Sequence, residues 1–210
     1  MPRTLSPLAF LIARTLRREA PLAALSVPQE ALLADLAGKR VALVGNARAL
    51  AETRHGAAID GHDLVIRINR APMPAPESHG TRTDWLALAT SLPPAERARI
   101  GAGRYLWMSH KRKRLDYATA TSPGFYLHPL ADYAALKARL GAQPTTGAML
   151  IDLLARSDLA ALSLYGFDFF ASLSLSGSRS AEKVPHDFAA EAAMVEALRA
   201  RDSRITLHNS

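Results

Sequence analysis

The chain has 210 residues, 49% of them apolar and 21% charged, so it can bury one substantial core and is too apolar for a disordered polymer. With 26 Lys and Arg against 19 Asp and Glu, its net charge of +7 favours acidic partners: nucleotides, phosphorylated glycans, nucleic acid or an anionic membrane surface. Cysteine is absent, which excludes disulfides, thiolate catalysis, zinc-thiolate sites and iron–sulfur clusters, and suggests a reducing, cytoplasmic compartment.

Residues 4–18, TLSPLAFLIARTLRR, put Leu5, Leu8, Ile12 and Leu16 on one side of a helix and Arg14, Arg17 and Arg18 on the other, with Phe10 interrupting the polar side. The plainer reading is a helix that caps the core. The sharper one is an interfacial helix whose arginines face anionic headgroups, a peripheral contact with the inner membrane. The apolar stretch 7–13 stops at Arg14, well short of the roughly 20 residues that span a bilayer, and no cleavage pattern of a secretory signal follows it. Pro21 and Pro28 break the pattern, and PQEALLADLAGK reads as a second short helix ending at Gly38. Residues 1–38 are therefore expected to form a helical N-terminal segment, and 39–210 a single α/β domain.

RVALVGN (40–46) reads as a strand, and ALAETRHGAAI (49–59) after it carries helical spacing. Further apolar runs follow at 63–69, 84–90, 104–110, 124–129, 161–167 and 204–208. Helical patterns at 131–140, 147–156 and 188–200 separate the later runs. Continuous apolar strands alternating with helices predict a mainly parallel sheet of about seven strands with helices on both faces, whose ligands sit at the strands' carboxyl ends.

Gly45 and Asn46 end the first strand, where glycine admits a close backbone approach and a carboxamide can donate and accept. Ala47, Arg48 and Ala49 stand where a dinucleotide fingerprint needs glycines, so NAD is disfavoured; GxxxxGK[ST], GxSxG and DxD motifs are absent too. Asn69 offers a second carboxamide at a strand end, or simply starts the turn before Pro72. In QPTTGAMLIDLLAR, Thr145 or Thr146 can cap a helix while backbone amides around Thr146 and Gly147 face an anion. His186 precedes a helix start, with Glu191 one turn inside; it is a general-base candidate or an ordinary surface histidine. DGHD (60–63) suits a loop-orienting role better than magnesium. HKRKR (110–114) reads as a solvated basic loop, with Arg112 and Lys113 available to an anionic acceptor; nucleic acid is the weaker use of it.

In chain order, these motifs resemble the sialyltransferase family (glycosyltransferase family 29), the animal-type sialylmotif enzymes and their bacterial relatives, over roughly residues 40–200. Gly45–Asn46, the I-D-x-H-D segment at 59–63, Arg67, Asn69 and GTRT at 80–83 are similar to the large sialylmotif. PTTG and LYGF (164–167) are similar to the small one, and HDFAAE (186–191) to the very small one. The resemblance implies a Rossmann-like, GT-A-like fold and a CMP-sugar donor surrounded by Gly45, Asn46, Asn69, Thr145, Thr146, Gly147 and Gly166. It implies His186 as catalytic base in a metal-independent, inverting transfer of an acidic sugar, sialic acid or Kdo, to a bacterial surface glycan. The family's motif cysteines would fall near Val41 and Asp158, so no bridge forms here. The histidine-aromatic motif expected between the small and very small motifs is not evident in ASLSLSGSRSAEKVP (171–185), where Arg179 or Lys183 could stand in. An inactive CMP-binding regulatory protein of the same fold is the alternative.

Overall fold

The computed structural model describes residues 5–168 and 185–208. Seven strands, β1 Arg40–Val44, β2 Leu64–Ile68, β3 Trp85–Leu88, β4 Arg104–Trp107, β5 Tyr126–Leu127, β6 Ala161–Tyr165 and β7 Ile205–His208, fall within the seven expected runs. Every pairing is parallel, in the order β5-β4-β3-β2-β1-β6-β7. The helices are α1 Pro7–Thr15, α2 Glu19–Ala23, α3 Gln29–Ala34, α4 Gly56–Asp60, α5 Pro76–His79, α6 Pro94–Ile100, α7 Tyr117–Ala120, α8 Leu130–Leu140, α9 Thr146–Leu154 and α10 Phe188–Arg201. This is the expected Rossmann-like α/β architecture, parallel throughout.

The strands read as unbroken apolar runs because both of their faces are covered. Val41, Leu43, Leu64 and Ile66 pack on one face with Leu32 of α3, Leu136 of α8, α9, and Val195 and Leu198 of α10. The alternate residues Ala42, Val44, Val65 and Tyr165 meet Leu50 and Ile59 on the other face. Farther along that face, Leu86, Leu88, Tyr105 and Trp107 meet Phe10 and Ala13 of α1, Leu22 of α2, Ile100 of α6 and Ala120 of α7. The N-terminal helices thus complete cores on both faces.

Two expected helices differ in the structure. ALAETRHGAAI is a 3-10 turn, Arg48–Glu52, followed by the short α4, because Thr53 is extended and its hydroxyl donates to the Leu50 carbonyl at 2.8 Å, closing the turn. In α1 the expected apolar stripe faces away from the protein. Phe10 and Ala13 are buried instead, with the Phe10 ring edge-on to Tyr117 at 5.4 Å and Arg14 donating to the Leu115 carbonyl at 2.9 Å.

Candidate active site at the carboxyl edge of the sheet

The strand order reverses direction between β1 and β6, so the crevice beyond their carboxyl ends is where an open parallel sheet accepts ligands. Here Gly45 N–H donates to the Tyr165 carbonyl at 2.7 Å, and Ala47 N–H to the Gly166 carbonyl at 3.2 Å. A Cβ on Gly45 would lie 2.3 Å from the Gly166 oxygen, so glycine is required by a neighbouring strand end rather than by a ligand. Gly166 has φ +66°, a left-handed conformation that turns the chain out of β6 toward Phe167. The Phe167 ring then fills the space beside two glycines: Cε2 lies 3.2 Å from a Cβ built on Gly45, and Cε1 2.7 Å from one on Gly147.

Asn46 is buried and its Nδ2 donates to the Ile68 carbonyl at 3.4 Å, tying the end of β1 to that of β2. Asn69 adopts φ +53° and its Oδ1 accepts from Ala89 N–H at 3.0 Å, so its carboxamide builds the turn after β2. The preceding Arg67 is buried, and burial pushes its guanidinium down to about 10. It donates to the carbonyls of Arg82 and His79 and to the Thr83 hydroxyl. Asp60 accepts from the backbone N–H groups of Thr81 and Arg82, so the DGHD and GTRT motifs form one loop scaffold.

Thr145 caps α9, its Oγ1 accepting from Ala148 N–H at 3.0 Å. Its own N–H and hydroxyl donate to the two oxygens of Glu191, each at 2.7 Å. Glu191 is 4% exposed, and desolvation raises its carboxyl above the usual range despite these two bonds. Thr145 is therefore committed to α10, and the amides of Thr146 and Gly147 are those of the first turn with no intrahelical acceptor. With the positive end of the helix behind them, they form an anion-binding pair.

His186 lies just before Asp187, the cap of α10, whose carboxylate accepts from Ala190 N–H at 2.9 Å. The His186 ring is half-buried with Nδ1 at 2.6 Å from the Gln143 carbonyl. A carbonyl can only accept, so Nδ1 carries the proton in the neutral ring and Nε2 keeps the lone pair, the form a general base needs. Gln143 is two residues before Thr145, which brings the imidazole to the amino end of α9.

The expected residues thus join in one series of contacts. Asn69 adjoins Ile68, which Asn46 touches; Gly45, Gly166 and Gly147 meet around Phe167; Thr145 reaches Glu191; and His186 rests on Gln143. Phe167 and Glu191 were visible within quoted motifs but not among the expected site residues. The Gln143 carbonyl is a backbone group and leaves no signature in a sequence.

Arg112 departs from its expectation as an exposed cation. Its guanidinium is buried, bonded to both oxygens of Glu19 and to the carbonyls of Ser109 and His128. Lys113 is exposed as expected. Arg179 and Lys183, the suggested stand-ins, lie outside the described residues.

Residues 14–113 match the family model "Glycosyltransferase family 29 (sialyltransferase)". Over that segment the chain is similar to this family. The match contains Gly45, Asn46 and Asn69; Thr145, Thr146, Gly147, Gly166 and His186 lie beyond it. Two solved structures of a mammalian sialyltransferase are similar at TM-score 0.58, with 18% and 20% identity, covering 87% of this chain and 78% of theirs. The first of them is in complex with Gal-beta-1-3GalNAc-ortho-nitrophenol. The sialyltransferase CstII from Campylobacter jejuni, in complex with the substrate analogue CMP-3FNeuAc, is 14% identical at TM-score 0.52, covering 81% of this chain and 79% of its own. Among curated proteins no sequence matches. The resemblance to the sialyltransferase family is borne out, and the structural likeness shows the shared fold. A CMP-sugar-dependent glycosyltransferase is the kind of enzyme that this family supports.

Proposed function

We propose that the chain transfers an acidic sugar, sialic acid or Kdo, from a CMP-activated donor to a hydroxyl of a bacterial surface glycan, by a single inverting displacement that uses no metal. The observation that carries this reading is His186, held through Nδ1 on the Gln143 carbonyl so that Nε2 keeps its lone pair, at the amino end of a helix whose first two amides have no intrahelical acceptor. Nε2 takes the acceptor hydroxyl proton as that oxygen bonds to the anomeric carbon. The bond from that carbon to the CMP phosphate breaks, and CMP leaves with the electron pair. Its phosphate charge is received by the Thr146 and Gly147 amides. Gly45, Asn46, Asn69 and Gly166 line the remaining edge that would take the nucleotide.

The net charge of +7 suits an acidic donor, and the analogue in the CstII structure is a CMP-sugar. We place residues 39–210 as the catalytic unit and 1–38 as a helical N-terminal segment, in the cytoplasm of a bacterium. No helix among the described residues is long and apolar enough to cross a membrane.

Calorimetric titration with CMP in the presence of a chelator, against UMP and AMP, tests the donor site. Selective CMP binding is expected, with His186→Ala sparing it and lowering transfer by about 10²–10⁴-fold. Failure of the folded protein to bind CMP, or unchanged transfer by His186→Ala, would overturn the assignment. CMP binding without turnover of any CMP-sugar would leave the inactive regulatory protein.

A further inference from the structure

Helix α1 is inverted relative to its sequence pattern. Its buried side, Phe10 and Ala13, lies against the segment 112–117, where Tyr117 also donates to the Leu5 carbonyl at 2.8 Å. On the opposite side Leu8 is 67% exposed, Leu11 46% and Ile12 43%, and Leu16 beyond the last turn is 58% exposed. Spacings of three and four residues make Leu8, Leu11 and Ile12 one continuous stripe with no charge among them. These are four of the five large apolar side chains exposed among the described residues, gathered on one short helix. A folded protein has no reason to turn its most apolar face outward unless something covers it.

The surroundings indicate what covers it. Arg17 and Arg18 follow the helix directly, and the turn carrying Lys111, Lys113 and Arg114 packs on its inward side; all five are exposed and none forms an ion pair with a described residue. The nearby carboxylates are already spoken for. Glu19 is bonded to buried Arg112, and Asp116 caps α7 and pairs with Arg97. The corner therefore joins net positive charge to an apolar stripe, a combination complementary to an anionic lipid surface.

We infer that α1 is a peripheral membrane-docking element, with Leu8, Leu11, Ile12 and Leu16 entering the headgroup boundary of an anionic bilayer and Arg17, Arg18, Lys111, Lys113 and Arg114 contacting the lipid phosphates. The basic turn follows the carboxyl end of β4, on the same edge of the sheet as His186 and α9. It sits three strand spacings from β1, roughly 14 Å along the edge. The inference stands on the exposed face and does not depend on which sugar is transferred.

The test is flotation of the full chain with phosphatidylcholine vesicles containing about a quarter phosphatidylglycerol, against pure phosphatidylcholine, combined with analytical sedimentation. Wild type is expected to float with the anionic vesicles alone, and less as salt rises. Leu8→Glu with Ile12→Glu should reduce partitioning at least about tenfold. Lys111→Glu with Lys113→Glu should reduce it by about fivefold or more for each cation removed. All variants alter exposed positions, so their circular dichroism and melting should match wild type. Absence of wild-type binding to the anionic vesicles, or binding unchanged in both variants, overturns the inference. So does sedimentation showing wild type as a dimer that the Leu8/Ile12 variant converts to monomer, which would make the stripe a self-interface.

Discussion

Replacing Glu191 by alanine removes the carboxylate that ties the start of α9 to α10. Both bonds from Thr145 are lost, and each is a 2.7 Å contact to a carboxylate, the kind that contributes about 1.5–3 kcal/mol. Two effects reduce the sum. Burial already penalises the charged carboxyl, as its raised pKa records, and half-buried Thr145 can recover water. A net loss of about 2–3 kcal/mol is expected in urea unfolding at neutral pH, and about 1 kcal/mol for Glu191→Gln, which keeps one acceptor. A cycle with Thr145→Val should show coupling of about 1–2 kcal/mol. The pH dependence has a definite sign. Between the ordinary value of 4.5 and the raised folded value, the folded chain binds the proton more readily, so stability falls as pH rises, and Glu191→Gln should lack that decline. A Glu191→Ala cost below about 0.5 kcal/mol, or effects additive within about 0.5 kcal/mol, would refute the tie between the two helices.

Gly147→Ala brings a methyl to 2.7 Å from the Phe167 ring, so the ring must shift; a cost of about 1–3 kcal/mol and weaker CMP binding are expected by thermal unfolding and calorimetry. Arg112→Ala leaves Glu19 unpartnered and opens the Ser109 and His128 carbonyls, costing about 2–4 kcal/mol in urea unfolding, whereas Lys113→Ala should stay within about 0.5 kcal/mol. Equal effects of the two would contradict the buried role of Arg112. His128 is 2% exposed, and burial pushes its imidazole down to about 4. The unfolded chain therefore binds the proton first as pH falls, and this contribution, present above 6.5, is lost between 6.5 and about 4. The loss is about 3 kcal/mol, and His128→Leu should flatten that limb of an unfolding-versus-pH curve.

The strands were legible because each is buried on both faces and so appears as an uninterrupted apolar run; even the two-residue β5 lies inside such a run. The motif residues were legible because strand ends and helix starts demand particular types: Gly45, Asn46, Thr145, Gly166. Their reasons were not. Gly45 and Gly147 are glycines because one aromatic ring and a neighbouring backbone occupy the space a side chain would take, and those neighbours come from elsewhere in the chain.

By itself, the amino-acid sequence determined the α/β class, the chain order of the seven strands and the cap at Thr145 or Thr146, since these follow from local periodicity and residue type. The tertiary structure alone decided which side of α1 is inward, whether a given cation is solvated, and which ring nitrogen of His186 is free. Each of these depends on a surface or backbone group supplied at long range. Tyr117 and Leu115 draw Phe10 and Arg14 inward, Glu19 buries Arg112, and the Gln143 carbonyl sets the His186 tautomer.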